Sequence, residues 1–222
     1  MPTPSHHLAR ELEALKRNLL HVGKLALEEL SKALEACRLR APELAAEVTA
    51  ADKVLDAREV RVEEECLRII ALHQPVAQDL RYVASALKIN QLIENTGDTA
   101  VNIAKRAKFL ASRPPLPVEV DVAGTGARAV EMFDRALQAF VNLDAAEARR
   151  VIEMDNEVDI AYRSVTSKMI EVMEKHSDQV EVALNTMHLV RHLERAADRA
   201  TDIAEQVLYI LSGDISRHTE LE

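Results

Sequence analysis

The stretch ENTGDTAVN, residues 94–102, has a counterpart 100 residues further along the chain, ERAADRATD, residues 194–202. In both stretches two acids stand four residues apart: Glu94 and Asp98 in the first, Glu194 and Asp198 in the second. Residues four apart on a helix share a face, so each stretch sets two carboxylates side by side. The recurrence indicates an internal duplication, so we expect the fold to consist of two similar helical units.

The duplication extends through most of the chain. At an offset of 103 residues four positions match: Gly23 with Gly126, Leu34 with Leu137, Asp52 with Asp155 and Asp56 with Asp159. At an offset of 100 the matches are Glu94 with Glu194, Asp98 with Asp198, Ile103 with Ile203 and Ala104 with Ala204. The offset changes between the second and third helix of each half, where a loop tolerates the loss of residues.

The composition is that of an all-α protein. Among 222 residues, 48% are hydrophobic and only 3% aromatic, there is no Trp, and Gly and Pro number five and seven. Ala, Leu, Glu and Arg, which are good helix formers, supply much of the rest. The length suffices for one large domain or two small ones with real cores.

Prolines and capping residues divide the chain into helices. Pro42 can open a helix, Pro75 follows a long periodic run, and the run PPLP at 114–117 is the strongest break. Asp144 is an expected N-cap with Glu147 completing a capping box, and Ser177 or Asp178 is expected to cap the last helix. Six helices are predicted, at 6–39, 42–73, 76–111, 120–143, 145–176 and 179–212.

The proline-rich break groups these helices three and three. We expect two pseudo-symmetric three-helix bundles, similar to spectrin repeats: residues 1–112, then a linker at 113–117, then residues 118–213. Residues 214–222 are expected to form a polar tail.

Each half then carries two acid pairs, one on its second helix and one on its third. Like charges at this spacing repel by a few tenths of a kcal/mol, roughly, which a bound cation would relieve. On the third helix, steps of three and four lead from Val83 and Leu87 to Glu94 and Asp98, so we expect these acids to face a neighbouring helix. Carboxylate oxygens suit Mg, Mn, Fe, Zn or Ca, but Arg or Lys from an adjacent helix would also neutralise the pairs.

Charge and cysteine usage exclude several classes of protein. A net charge of −9 argues against general nucleic-acid binding, which needs a basic surface. Cys37 and Cys66 form no CxxC motif and are expected to be buried thiols in a reducing cytoplasm. The N-terminal sequence lacks the pattern of a signal peptide, and no apolar run is long enough to span a membrane.

At the acid pairs the chain resembles the PhoU family, the negative regulators of bacterial phosphate uptake. The family's repeated E/DxxxD motif, often written ERIGDHAxNIA, stands here as ENTGDTAVNIA (94–104) and ERAADRATDIA (194–204). Residues 71–89 and 191–213 are also similar to family stretches, and the resemblance covers nearly the whole chain. It implies two three-helix bundles and a homodimer.

The resemblance also implies metal sites, since some family members bind iron or zinc clusters through these carboxylates; Mn or Mg is also possible. The implied ligands are Asp52, Asp56, Glu94, Asp98 and Asn102 in the first half, and Asp155, Asp159, Glu194, Asp198 and Asp202 in the second. The family's His after the motif Asp is Thr99 in one half and Arg199 in the other, and its Gly is Gly97 and Ala197. Arg199 supplies charge that a cation would otherwise provide, which puts the second site in doubt.

The function implied by the resemblance is regulatory and not enzymatic. The chain is expected to restrain phosphate uptake and the phosphate-starvation response by contacting the ATPase subunit of the phosphate ABC transporter and a sensor histidine kinase. It would lie in the cytoplasm, at the inner face of the plasma membrane, through those partners alone.

Two alternatives remain at this stage. A ferritin-like di-iron enzyme needs Glu-x-x-His motifs, and no Glu stands three residues before any of the eight His. A metal-free helical adaptor would have much the same sequence, so the sequence does not separate it from a metal-binding regulator.

Overall fold

A computed structural model describes residues 6–214 of the chain, and within them the fold is all-α. The six helices are α1 (His6–Leu39), α2 (Pro42–His73), α3 (Ala77–Ala111), α4 (Val122–Asn142), α5 (Ala145–Lys175) and α6 (Val180–Ser212), with a short 3₁₀ turn (Ser177–Gln179) before α6. The prediction of an all-α chain with six helices is confirmed. The largest error at a helix end is at α4, which was predicted from residue 120 and begins at Val122.

Prolines and an aspartate set several helix ends as expected. Pro42 occupies the first turn of α2, where its missing N–H costs nothing. Before Pro75, Gln74 adopts the left-handed conformation with φ of 45° and ends α2. Asp144 caps α5, its Oδ1 accepting from the N–H groups of Ala146 at 2.9 Å and Glu147 at 3.0 Å.

Two details of the capping prediction are wrong. The Glu147 side chain does not accept a hydrogen bond from the Asp144 N–H, which donates to Ala139 O instead. Glu147 forms ion pairs with Arg135 and Arg150. Neither Ser177 nor Asp178 caps α6, because a hydrogen bond from Gln179 N to His176 O closes a 3₁₀ turn across both residues. Asp121, which sequence analysis overlooked, caps α4 by accepting from Gly124 N at 2.7 Å.

The helices of each half contact one another, and the two halves pack through two helix pairs. α1, α2 and α3 form one group of mutual contacts and α4, α5 and α6 another. The groups meet where α3 contacts α6 and where α1 contacts α4. The core is continuous through both groups and consists mainly of Leu, Ile, Val and Ala, with Phe133 and Phe140 as its largest buried side chains.

Several contacts between the halves occur in reciprocal pairs. A Cβ added at Gly23 would lie 2.8 Å from the side chain of Leu137, and one added at Gly126 would be closer still to that of Leu34. In the overlay of the halves Gly23 matches Gly126 and Leu34 matches Leu137. Each glycine of one half therefore contacts the leucine of the other half, and the two contacts are equivalent. Only the absence of a side chain at each glycine lets α1 and α4 approach this closely.

A second reciprocal pair joins α3 to α6. Ser85 Oγ donates to Gln206 Oε1 at 3.4 Å, and Arg106 donates to Asn185 Oδ1 at 2.9 Å. At the offset of 100, Ser85 matches Asn185 and Arg106 matches Gln206, which is what a two-fold relation between the halves requires. The superposition of residues 1–112 on 118–213, with 113–117 as linker, stays a prediction. Of the predicted tail at 214–222, only residue 214 is among the described residues.

The linker packs against the ends of several helices. It lines one side of an open cavity of about 790 Å³, whose other lining side chains are mainly apolar and include Leu34, Leu110 and Leu189. None of the helices within residues 6–214 is both long and apolar enough to cross a membrane.

Candidate functional site

The first acidic cluster forms where α2 packs on α3. Burial and then the charges of Asp56 and Asp98 raise the pKa of Asp52. Burial, followed by Asp98, Asp56 and Asp52, raises the pKa of Glu94, while a hydrogen bond from Gln91 at 2.8 Å opposes this rise. The four acids predicted for the first half therefore do lie within electrostatic reach of one another.

The second acidic cluster forms in the matching place, between α5 and α6. Burial raises the pKa of Asp155 to about 6, with further contributions from Asp198, Asp159 and Asp202. Burial and then Asp198 and Asp159 raise the pKa of Glu194, and burial and then Asp159 and Asp202 raise that of Asp198. All five predicted acids of the second half belong to this cluster.

The acids lie along the margin of the core and not within it, on the sides of α3 and α6 that meet α2 and α5. Asp56, Asp98, Asp198 and Asp202 are exposed, whereas Asp52, Glu94, Asn102, Asp155, Asp159 and Glu194 are half-buried. The fully buried positions on α3 are their neighbours, such as Ile93 and Ala100. Hydration of one side of each carboxylate lowers the cost of gathering so many negative charges.

Glu29 on α1 joins the first cluster, although sequence analysis did not identify it. Its side chain is only 5% exposed, and its Oε2 is buried with no hydrogen-bond partner. Burial, followed by the charges of Asp52, Asp56 and Glu28, raises its pKa to about 7. The sequence did hold a signal: Glu29 interrupts a buried stripe on α1 that runs through Val22, Ala26, Ala33 and Ala36.

Gly97, the glycine of the first motif, provides the space into which two of these carboxylates reach. A Cβ added there would lie 2.9 Å from Leu55 Cδ1, 3.3 Å from Asp52 Oδ1 and 3.4 Å from Glu29 Oε2. Asp52 and Glu29 therefore face the same small volume over the backbone of α3. A side chain at residue 97 would narrow that volume.

Glu59 is a further member of the first cluster that sequence analysis missed. Its Oε1 accepts a hydrogen bond from Asn90 Nδ2 at 2.7 Å, which fixes the carboxylate against α3. Burial and the charges of Glu63, Glu94 and Asp56 raise its pKa. This side chain extends the acidic surface one turn beyond Asp56 along α2.

Cations surround the second cluster more closely than the first. Arg163 pairs with Asp159 at 2.7 Å. Arg199 is mostly buried between the halves, where its Nη1 donates to Thr99 Oγ1 at 2.8 Å and to Arg195 O at 3.0 Å. Burial lowers the pKa of Arg199, whereas Asp198, Asp202 and Glu94 act to raise it, so this guanidinium lies within reach of acids from both clusters.

The residues present suit a metal ion in chemistry, but no complete ligand set is preformed. As the side chains stand, no three His, Cys, Asp or Glu within residues 6–214 are arranged to hold a metal ion. The donors are nonetheless all-oxygen, as hard cations prefer, the Glu29 Oε2 is buried without a partner, and Gly97 leaves room beside it. The first cluster therefore fits a cation better than the second, and the ligand roles of all ten predicted residues, including Asn102, stay predictions.

The PhoU domain model matches this chain twice, over residues 19–107 and 123–207. The chain is 35% identical to the phosphate-specific transport system accessory protein PhoU homolog of Aquifex aeolicus, over 97% of each chain. It is 31% identical to the phosphate-specific transport system accessory protein PhoU of Escherichia coli, over 94% of this chain and 86% of the relative.

Solved structures show the same similarity in three dimensions. The crystal structure of PhoU from Pseudomonas aeruginosa matches with a TM-score of 0.90 and 33% identity, over 93% of this chain and 99% of that one. The phosphate transport system regulatory protein PhoU from Streptococcus pneumoniae matches with a TM-score of 0.86 and 27% identity, over 96% and 100%. The resemblance drawn from the two E/DxxxD motifs is confirmed.

Proposed function

Because this chain belongs to the PhoU family, we propose that it is a phosphate-transport accessory protein that restrains phosphate uptake and keeps the phosphate-starvation response off when phosphate is plentiful. The observation that carries the proposal is the match over both halves and nearly the full length of relatives named as accessory proteins of phosphate-specific transport.

In this proposal the chain acts by contact with other proteins and not by catalysis. Its partners are the ATPase subunit of the phosphate ABC transporter and the sensor histidine kinase of the starvation response, and it forms a homodimer. The chain works in the cytoplasm and reaches the inner face of the plasma membrane through these partners. Its net charge of −9 supports electrostatic steering toward basic partner surfaces and disfavours nucleic acid as a partner.

The acidic clusters are the proposed metal-binding part of this function, with iron or zinc as the cations that the family resemblance implies and Mn or Mg as further possibilities. A bound cation would supply positive charge where carboxylates repel one another. Asp52 and Asp56 on α2 and Glu94 and Asp98 on α3 would hold it in the first half. Ligands from two helices would tie α2 to α3, so the cation would stabilise the bundle without any chemical step.

Deletion of the gene tests the regulatory proposal. We expect transcription of starvation-response genes to rise in phosphate-rich medium and to fall again when the wild-type chain is restored. The purified protein should capture the transporter ATPase subunit and the sensor kinase from phosphate-replete cells. Unchanged transcription after deletion would contradict the proposal, whatever the metal content of the protein.

Metal analysis of the protein, purified without a His tag, tests the cation proposal separately. The double variant Asp98→Asn with Asp198→Asn should bind less metal than the wild type and gain less thermal stability from added metal. Asp134→Asn with Asp178→Asn makes the same change of charge outside both clusters and should bind as the wild type does. Equal metal content in all three proteins would show that the acid pairs are not the ligands.

A metal-free helical adaptor is the second candidate. The specific observation in its favour is that, within residues 6–214, no three potential ligands are arranged around a common point. In that case cations would change neither the stability of the protein nor its capture of partners, while deletion of the gene would still raise starvation-response transcription.

A further inference from the structure

Among the acids of residues 6–214, the Glu29 carboxylate stands out because it is buried and has no partner for one of its oxygens. It is 5% exposed, and Oε2 accepts no hydrogen bond. The charges that act on it most strongly, those of Asp52 and Asp56, are also negative. An ionised carboxylate in such surroundings is costly to bury unless a proton or a metal cation binds to it.

The position of Oε2 shows where a positive charge would be placed. Glu29 Oε2 and Asp52 Oδ1 lie at 3.4 Å and 3.3 Å from the point where a Cβ of residue 97 would stand. Three helices therefore meet here: α1 brings Glu29, α2 brings Asp52, and α3 leaves space at Gly97. The side chain of Glu29 therefore adds a third helix, α1, to a cluster of acids that α2 and α3 otherwise supply.

The second half lacks this feature at each corresponding position. At the offset of 103, Glu29 matches Met132, which is fully buried on α4 and offers only a thioether sulfur. At the offset of 100, Gly97 matches Ala197, which is buried and carries the methyl group that Gly97 lacks. The second cluster consequently draws its acids from α5 and α6 alone.

The neighbouring positive charges also favour a cation at the first cluster, because more arginines lie near the second. In the first half Lys105 acts on Asp52, and Arg199 of the other half lies within reach of Glu94. In the second half Arg191 and Arg195 act on Glu194, Arg199 and Arg195 act on Asp198, and Arg163 pairs with Asp159. The duplicated clusters thus differ in both donors and neighbouring cations.

We propose that Glu29 is an additional metal-ligating residue, and that it makes the cluster of α1, α2 and α3 the tighter of two unequal cation sites in this chain. The inference rests on the cation-binding part of the proposed function. It adds a ligand outside the E/DxxxD motifs and a rank order of the sites. The affinity of an oxygen-ligand site rises with the number of charged ligands, so a further carboxylate favours the first cluster over the second.

Titration of the full chain with Mn²⁺ tests this inference. The protein is stripped with a chelator, and bound Mn²⁺ is counted at neutral pH from the electron paramagnetic resonance signal of the free ion, with the melting temperature as a second readout. The wild type should show a tight and a weak class of binding. Glu29→Gln should weaken the tight class by about tenfold or more and leave the weak class within about twofold.

Two further variants separate the sites and serve as controls. Glu28→Gln removes the adjacent, exposed carboxylate and should leave both classes as in the wild type. Asp155→Asn should remove the weak class alone. If Glu29→Gln does not fold, Glu29→Asp takes its place, since a carboxylate shorter by one methylene should also weaken only the tight class.

Each outcome decides between the two proposals. Identical titrations for Glu29→Gln, Glu28→Gln and the wild type would overturn the ligand role of Glu29 and leave cation binding by the motif acids standing. Two equal classes in the wild type would overturn the rank order. If the wild type binds no Mn²⁺, and neither Fe²⁺ nor Zn²⁺ raises its melting temperature, the cation proposal itself fails and this inference fails with it.

Discussion

Gly23 on α1 packs directly against the side chain of Leu137 on α4, at a distance that leaves no room for a Cβ. The matching contact, of Gly126 with Leu34, lies across the same helix pair. The two contacts set how closely the halves approach one another. They differ in two respects: a Cβ at Gly126 would come closer to its leucine, and Leu137 is buried whereas Leu34 is half-buried beside the linker cavity.

Gly23→Ala should therefore destabilise the protein by about 1 kcal/mol or more, although the same change in a solvated helix would stabilise it by about 1 kcal/mol. Gly126→Ala should cost less in spite of its closer contact, since the half-buried side chain of Leu34 can turn into the linker cavity. Urea unfolding of both variants measures the difference. In a double-mutant cycle, Gly23→Ala should cost less in a Leu137→Ala background than in the wild type; strict additivity would show that the two residues do not limit the approach of α1 and α4.

Glu29→Gln should raise the free energy of unfolding in metal-free buffer above neutral pH, by about 2 kcal/mol. The substitution keeps the shape of the side chain and removes an ionised carboxylate that lies buried among other acids. Glu28→Gln, at the exposed neighbouring position, should change stability by less than about 0.5 kcal/mol. A loss of stability in Glu29→Gln without metal would mean that the carboxylate has a protein partner.

Arg199→Gln should destabilise the metal-free protein by about 1–3 kcal/mol. It removes the hydrogen bond to Thr99 between the halves and a positive charge near both clusters. The same variant should bind Mn²⁺ more tightly at the second cluster, because fewer cations then oppose the ion. Arg195→Gln, at an exposed position one turn earlier, tests whether the loss of any nearby arginine has the same effect. If its free energy of unfolding and its Mn²⁺ affinity both match those of Arg199→Gln, the buried position of Arg199 is irrelevant.

Glu147 gives the protein a pH-dependent contribution to stability. Hydrogen bonds from Arg135, with a further one from Arg150, hold the pKa of Glu147 below its usual value of 4.5. A depressed carboxyl pKa stabilises the folded state above the unfolded-state pKa, and this stabilisation is lost as pH falls through the folded-state pKa. Glu147→Gln should cost about 1 kcal/mol or less at neutral pH, and nothing in acid below both pKa values. An equal cost at both pH values would contradict the ion-pair account.

The two thiols should be slow to react in the folded protein. Burial raises the pKa of both Cys37 and Cys66 to about 12, so little thiolate forms near neutral pH. A thiolate-directed reagent should modify Cys37, which is half-buried, more slowly than a free thiol, and Cys66, which is fully buried, only when the chain unfolds. Rapid labelling of Cys66 under native conditions would reveal local opening of α2.

The helices were predictable from the sequence because their ends depend on local chemistry. Pro42 and Asp144 set helix starts through backbone geometry and capping, and both act as predicted. The start of α6 was not predictable in the same way, since Ser177 and Asp178 are equally good residues for an N-cap and for a 3₁₀ turn. Which of the two forms depends on how α5 and α6 pack, and that information is not local.

The candidate site was predictable only in part. The acids of the two motifs were found because they recur at fixed offsets, and the structure does gather them. Glu29 was missed because it has no acidic counterpart in the second half, so the comparison that revealed the others passed over it. Its position on the buried stripe of α1 was visible in the sequence, but only the fold shows that this stripe meets Asp52 and Gly97.

The long separation in sequence between the two halves has a consequence for how the chain is made. α1, α2 and α3 are synthesised before α4. More than a hundred residues must therefore be added after Gly23 before Leu137 can pack against it. Contacts within each half can form early, whereas the four reciprocal contacts between the halves close longer loops and are expected to form later. A nascent chain stalled after the linker would therefore display an apolar face that binds a chaperone, or the same face of another stalled chain.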